Sequence, residues 1–168
     1  MFKKKKVFKD MIESKIGEEL QSDAVIIQWL VRWVAMMYSR FKIGTDGKTS
    51  YERQKGRKCK QEVVPFGEKV MYKKLKESGA RKQVMESQWE EGIWLGHCRS
   101  SNEVLVGTTK GVVRAWAIKR KAEEDRWDKM LIKDMKGTPA KPDPTSSGVE
   151  IPIRICVPKT EHEETGEW

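Results

Sequence analysis

Seven side chains of this sequence are of types that hold a phosphate backbone: Lys69, Lys73, Arg114, Trp116, Lys119, Arg120 and Lys121. Lysine and arginine neutralise phosphate oxygens without reading sequence, and an exposed tryptophan stacks on an unpaired base. Arg114 and Trp116 share one face if the strand carrying them is regular. Trp116 suits the core equally well, so both readings stand at this point. A second chemistry is available to Tyr72, Trp89 and Trp94, an aromatic groove that would take a peptide.

Metal and disulfide chemistry find little support. Cys59, Cys98 and Cys156 are widely spaced with no C-x-x-C pair, which suits free thiols in a reducing compartment. His97 and Cys98 are neighbours on an expected strand, so they point to opposite faces and cannot share a metal. His162 stands alone, and no cofactor or metal is expected. No secretory signal is apparent, because the Lys3–Lys6 run is not followed by an apolar stretch. No run of about 18 apolar residues exists to span a membrane.

Charge points to a polyanionic partner. The formal net charge is +9 over 168 residues. Residues 1–60 carry 15 Lys and Arg against 7 Asp and Glu, and residues 61–121 carry 12 against 7. Residues 122–168 reverse the sign, with 7 against 11. A basic body with an acidic tail most often meets DNA or RNA, although a basic solvated surface alone gives the same numbers.

The elements that would position these residues are strands. From Val63 to Lys121, short runs rich in Val, Ile, Trp and Tyr are separated by turn formers, the signature of a small antiparallel unit. Val70 and Tyr72 alternate with Lys69 and Lys73; Ile93 and Leu95 repeat the pattern, giving each strand one buried and one wet face. Ser100-Ser101-Asn102 makes one turn and Lys110-Gly111 a tight hairpin. The expected core is Val70, Tyr72, Ile93, Leu95, Val104, Val106 and Val113, and the expected closure is a small SH3-like barrel.

Two helices precede it. Phe8, Met11, Ile12 and Ile16 mark the first, from Val7 to Leu20. Ser22 or Asp23 caps a second running to about Arg40, with Ile26, Trp29, Leu30, Trp33, Val34 and Met37 at helical spacing. Its apolar surface is wide, so Trp29, Trp33 and Met37 are expected to lie on a face the chain cannot fully cover, available to a missing domain or to self-association. The division is therefore 1–41 a helical pair, 42–62 a basic linker, 63–121 the barrel, and 122–168 a polar, acidic tail. Within that tail a Pro/Gly-rich break precedes an extended strap at Ile151–Val157, and the last residues are expected to be disordered. The class is α+β.

The ordered series has a family look. Tyr38-Ser39-Arg40-Phe41 ends the apolar helix, Thr49-Ser50-Tyr51-Glu52-Arg53 and Gly56 follow, then Phe66-Gly67, Trp89–Gly96 and Val106–Ala115. Gly137–Pro142 and Val149–Ile155 come later. This series resembles the C-terminal region of integrases in copia-type LTR retrotransposon Pol polyproteins, from about Asp23 to Ile155. The resemblance implies the end of a ribonuclease-H-like core followed by a small C-terminal barrel, a role in DNA integration, and an intracellular, cytoplasmic or nuclear setting. Such integrases hold two metal ions with two Asp and one Glu. Both Asp would fall upstream of Met1, and the Glu would fall near Lys3–Lys6. Glu13 and Glu18 sit too close to the second helix to replace it. The expectation is a non-catalytic nucleic-acid-binding piece; a peptide-binding module and a retroelement remnant without selected function are the alternatives.

Overall fold

The computed structural model describes residues 2–73, 88–101 and 103–146. Four helices, α1 (Phe2–Ile16), α2 (Val25–Phe41), α3 (Ser50–Lys55) and α4 (Lys129–Asp134), accompany strands β1 (Lys69–Lys73), β2 (Trp89–His97), β3 (Val104–Gly107), β4 (Val112–Ala115) and β5 (Ile118–Arg120). The α+β class read from the sequence holds. None of the described helices is long and apolar enough to cross a membrane.

The spacing of apolar residues on α2 sets its position. Ile26, Trp29, Leu30, Trp33 and Val34 are all buried, and each aliphatic side chain among them contributes about 1.5–3 kcal/mol on leaving water. Trp33 is the hub: Phe8 meets it edge-on at 4.9 Å, Phe66 lies at 5.4 Å and Trp94 at 6.4 Å. Trp29 donates its Nε1–H to the Gly137 carbonyl at 2.7 Å. The chain thus covers its own helix. Trp29 and Trp33 are 2% and 4% exposed and Met37 is half-buried against the core, which corrects the expectation of an open, self-associating face. The physical reason is that α1, Phe66, β2 and the segment after α4 converge on it. The helix starts after Ala24 with no side-chain cap, so neither Ser22 nor Asp23 caps it. The Lys3–Lys6 run is helical in backbone as the start of α1.

The strands form one antiparallel sheet in the order β4-β3-β2-β1-β5. Lys69 pairs with Ile93, Ile93 with Gly107 and Val106 with Val113, while β5 returns to pair Met71 with Lys119. The outer strands β4 and β5 are joined through the Trp116-Ala117 corner; among the described residues the ladder does not close between them, so the sheet is open rather than a hydrogen-bonded barrel. Six of the seven expected core residues are buried, and Val113 is half-buried. Strand β2 departs from the expected alternation, since Gly92 to Gly96 are buried on both faces. Its second face is covered by α2, with Trp94 under Trp33.

Two glycines permit this packing. A Cβ at Gly92 would meet Val106 Cγ1 at 2.3 Å and the Gly107 carbonyl at 3.0 Å. Gly96 adopts φ +114°, open chiefly to glycine, at the register shift between Trp94 and Gly96, and it lies against Trp33.

Two segments outside the helical pair and the sheet also carry regular structure. The stretch 42–62 contains α3, held by a capping box in which Glu52 N–H donates to Thr49 Oγ1 at 3.1 Å and Thr49 N–H to Glu52 Oε2 at 2.7 Å. Beyond residue 121, a short 3₁₀ turn at Glu123–Asp125 leads into α4, whose Ile132, followed by Met135, enters the core. The strap at Ile151–Val157 and the acidic end lie outside the described residues.

Candidate nucleic-acid interface

The seven cationic and aromatic positions singled out from the sequence divide into two groups. Three cations hydrogen-bond to carboxylates of this chain. Arg120, on β5, donates Nε–H and Nη2–H to the two oxygens of Glu68 at 2.7 and 2.8 Å, and Glu68 is 1% exposed. Glu68 lies where β1 begins, directly across from β5, so this fork is a structural pair. Lys69 places Nζ 3.1 Å from Asp128 Oδ2 and 3.9 Å from Glu91 Oε2. Lys121 pairs with Glu91. A phosphate would have to displace a carboxylate at each of them.

The other four face water. Trp116 is 63% exposed at the β4–β5 corner, which decides against the core reading. Arg114 is exposed, with Nη1 3.7 Å from Glu103 Oε2. Lys119 is exposed and sets Nζ 4.2 Å from the centre of the Trp89 ring, a cation–π contact. Lys73 is exposed at the end of β1.

The aromatic groove does not form from the residues proposed for it. Trp94 is 1% and Tyr72 5% exposed. Tyr72 donates its hydroxyl to Glu90 Oε2 at 2.7 Å, and its burial, followed by that carboxylate, raises its pKa. Both belong to the core, because α2 and the sheet's curvature close over them. Trp89 is half-buried under Lys119.

A cationic groove that the sequence reading did not assemble lies between α2, α3 and the β2–β3 turn. Arg32, Ser39 and Arg40 occupy one face of α2, at i, i+7 and i+8; Tyr51, Gln54 and Lys55 occupy one face of α3, at i, i+3 and i+4; Arg99 closes the end. Its volume is about 270 Å³. Arg40 stacks over Tyr51, 5.9 Å from the ring centre, and donates to Gln61. Arg53, in the same basic cluster, is instead held by Asp46, with Nε donating to Oδ2 at 2.9 Å. The helical spacing of Arg32 and Arg40 was readable, but the approach of α3 and Arg99 was not.

Beside the groove, Cys98 is buried with Sγ 3.4 Å from Ser100 Oγ. The Ser100 hydroxyl, then the Ser100 and Ser101 amides, pull its thiol down to about 6. Cys59 and Cys98 are both free. Among the described residues no group of three or more His, Cys, Asp or Glu side chains is placed to hold a metal ion.

No protein-family model matches the chain, nor does any curated protein or solved structure.

Proposed function

We propose that this chain binds DNA or RNA without sequence preference, through the phosphate backbone, as a non-catalytic module of the kind implied by its resemblance to the C-terminal region of copia-type integrases. The observation that carries the reading is Trp116, an indole that folding leaves 63% exposed at a strand corner. Exposed Arg114 precedes it by two positions and exposed Lys119 follows by three. An aromatic face beside unburied cations suits a base stacked over its own phosphates. The excess of 34 Lys and Arg over 25 Asp and Glu supplies attraction from a distance. The free thiols suit a reducing, intracellular setting. The covered α2 face gives the proposal no self-association surface there.

The test is a fluorescence-anisotropy titration of labelled duplex and labelled oligothymidine at several salt concentrations. Dissociation constants on the order of 10⁻⁴–10⁻⁶ M at physiological salt are expected, with log affinity falling linearly as log salt rises. Trp116→Ala should weaken oligothymidine by about 1–3 kcal/mol and leave duplex nearly unchanged, since only unpaired bases can stack. No measurable affinity at low salt, or affinity indifferent to salt, would overturn the proposal.

A further inference from the structure

The groove between α2, α3 and the β2–β3 turn gathers Arg32, Arg40, Lys55 and Arg99, and no aspartate or glutamate lines it. This distinguishes it from Lys69, Arg120, Lys121 and Arg53 elsewhere on the basic surface, each of which meets a carboxylate. Among the described residues neither the Lys55 nor the Arg99 side chain has a hydrogen bond or ion pair. Among the described residues Arg32 has the ring of Trp29, 5.4 Å from its guanidinium carbon, and no carboxylate partner.

A second, independent feature lies in the groove wall. Trp33 lines it and is 4% exposed, and its Nε1–H is buried without any hydrogen-bond partner. An indole N–H can only donate. The other polar groups of the wall are guanidinium, ammonium, hydroxyl and carboxamide. The complement to such a wall is an anion rich in acceptor oxygens.

The groove's electrostatics agree with its geometry. Burial pushes the Arg32 guanidinium down from its ordinary range, Cys98 opposes this, and the like charges of Arg99 and Arg114 add to it. Cations gathered without a carboxylate among them are the arrangement that a bound anion relieves. Arg114, two positions before Trp116 in the chain, contributes to the same field. The volume, about 270 Å³, lies just below the roughly 300–1,000 Å³ of enclosing ligand pockets. It suits a sugar-phosphate unit passing through better than a whole cofactor enclosed.

We infer that this groove is a phosphate-binding site that holds the backbone of the bound nucleic acid. The inference rests on the proposed function and adds where the strand runs: one end stacks at Trp116 and the phosphates thread past Arg99 toward Lys55. Free polyphosphate offers the same chemistry, so the experiment separates the two sources.

The variant is Lys55→Gln with Arg99→Gln, both exposed and without a side-chain partner among the described residues, and an unchanged melting temperature confirms that it folds. Labelled oligothymidine and inorganic tripolyphosphate are titrated into wild type and variant. Two lost phosphate contacts should lower oligothymidine affinity about tenfold near 0.2 M salt and reduce the magnitude of the salt slope by about 1.4. That result, with Trp116→Ala leaving the slope unchanged, supports the backbone site. Tripolyphosphate binding that the variant abolishes, with no oligothymidine binding by wild type, keeps a phosphate groove but overturns its occupation by nucleic acid and the proposed function with it. Oligothymidine binding that the variant leaves intact overturns the groove and spares the proposed function. Binding of neither probe overturns both.

Discussion

Replacing Arg120 with Gln tests whether the most prominent cation of β5 serves the fold or a ligand. Glu68 is 1% exposed, and Arg120 satisfies both its oxygens at 2.7 and 2.8 Å. Removing one partner of a fully buried pair costs about 3–5 kcal/mol, because the remaining charge is left uncompensated. Two features reduce that here. The Arg120 side chain is 37% exposed, so water already reaches it, and Arg126 keeps Nε 3.7 Å from the Glu68 carboxylate. A loss of about 2–3 kcal/mol is the expected outcome. For a chain of this size that lowers the melting temperature by roughly 4–12 °C. Urea unfolding followed by tryptophan fluorescence reads it directly. Adding Glu68→Gln should restore part of the loss, since no buried charge then remains, and the two single effects should not add. Nucleic-acid affinity of the Arg120 variant, measured well below its melting point, should change by less than about twofold, because the guanidinium is already engaged. A single variant within about 0.5 kcal/mol of wild type, or strictly additive effects, would refute the reasoning.

The sheet core gives the second expectation: Ile93→Ala, at 0% exposure, should cost about 2–5 kcal/mol, and Gly92→Ala should destabilise as well, because its Cβ would lie 2.3 Å from Val106 Cγ1; both are read by urea midpoint. Acid sensitivity is the third. Hydrogen bonds from Lys129, then Lys133, hold the Glu18 carboxyl at about 2 against an ordinary 4.5. A carboxyl lowered on folding contributes stability above its unfolded value, and that contribution fades as pH falls from 4.5 toward about 2. Glu18→Gln should therefore flatten the acid limb of the stability curve there, and an identical limb would disprove the linkage. The fourth concerns residues 147–168, which carry five glutamates against one lysine and one arginine. Truncation after Ser146 should tighten nucleic-acid binding in the anisotropy titration by removing an intramolecular competitor, and weaker or unchanged binding would count against that role.

Periodicity in the sequence located α2 and the strands, because both depend on which side chains share a face. It misjudged β2, where alternation fails once a helix covers the second side of a central strand, as Trp33 covers Trp94. The linker reading followed its glycines and lysines and passed over Thr49 and Glu52, whose spacing is a legible capping box. After the sheet, Trp127, Met130, Leu131 and Met135 stand at roughly helical spacing, but Met130 is 63% exposed while Ile132 is buried. The candidate site was legible as charge and not as geometry. Whether a cation is available depends on a carboxylate far away in the chain, and Arg120 and Glu68 are 52 positions apart. Nothing local marks Arg120 as engaged and Lys119 as open, and the groove requires three separated segments to meet.

The bond from Trp29 to the Gly137 carbonyl spans 108 positions, and Val112 N–H donates to the Pro142 carbonyl at 2.9 Å. The earliest large hydrophobic element is thus completed by almost the last part of the described chain. A growing polypeptide emerging from the ribosome would carry α2 with its tryptophans uncovered until residues near 137–142 appeared, and β4 would wait with its outer edge unpaired for the same segment. Closure over so long a loop is slow, as it is for any fold dominated by distant contacts. Synthesis halted after β5 would therefore yield a sticky intermediate rather than a smaller version of the native protein.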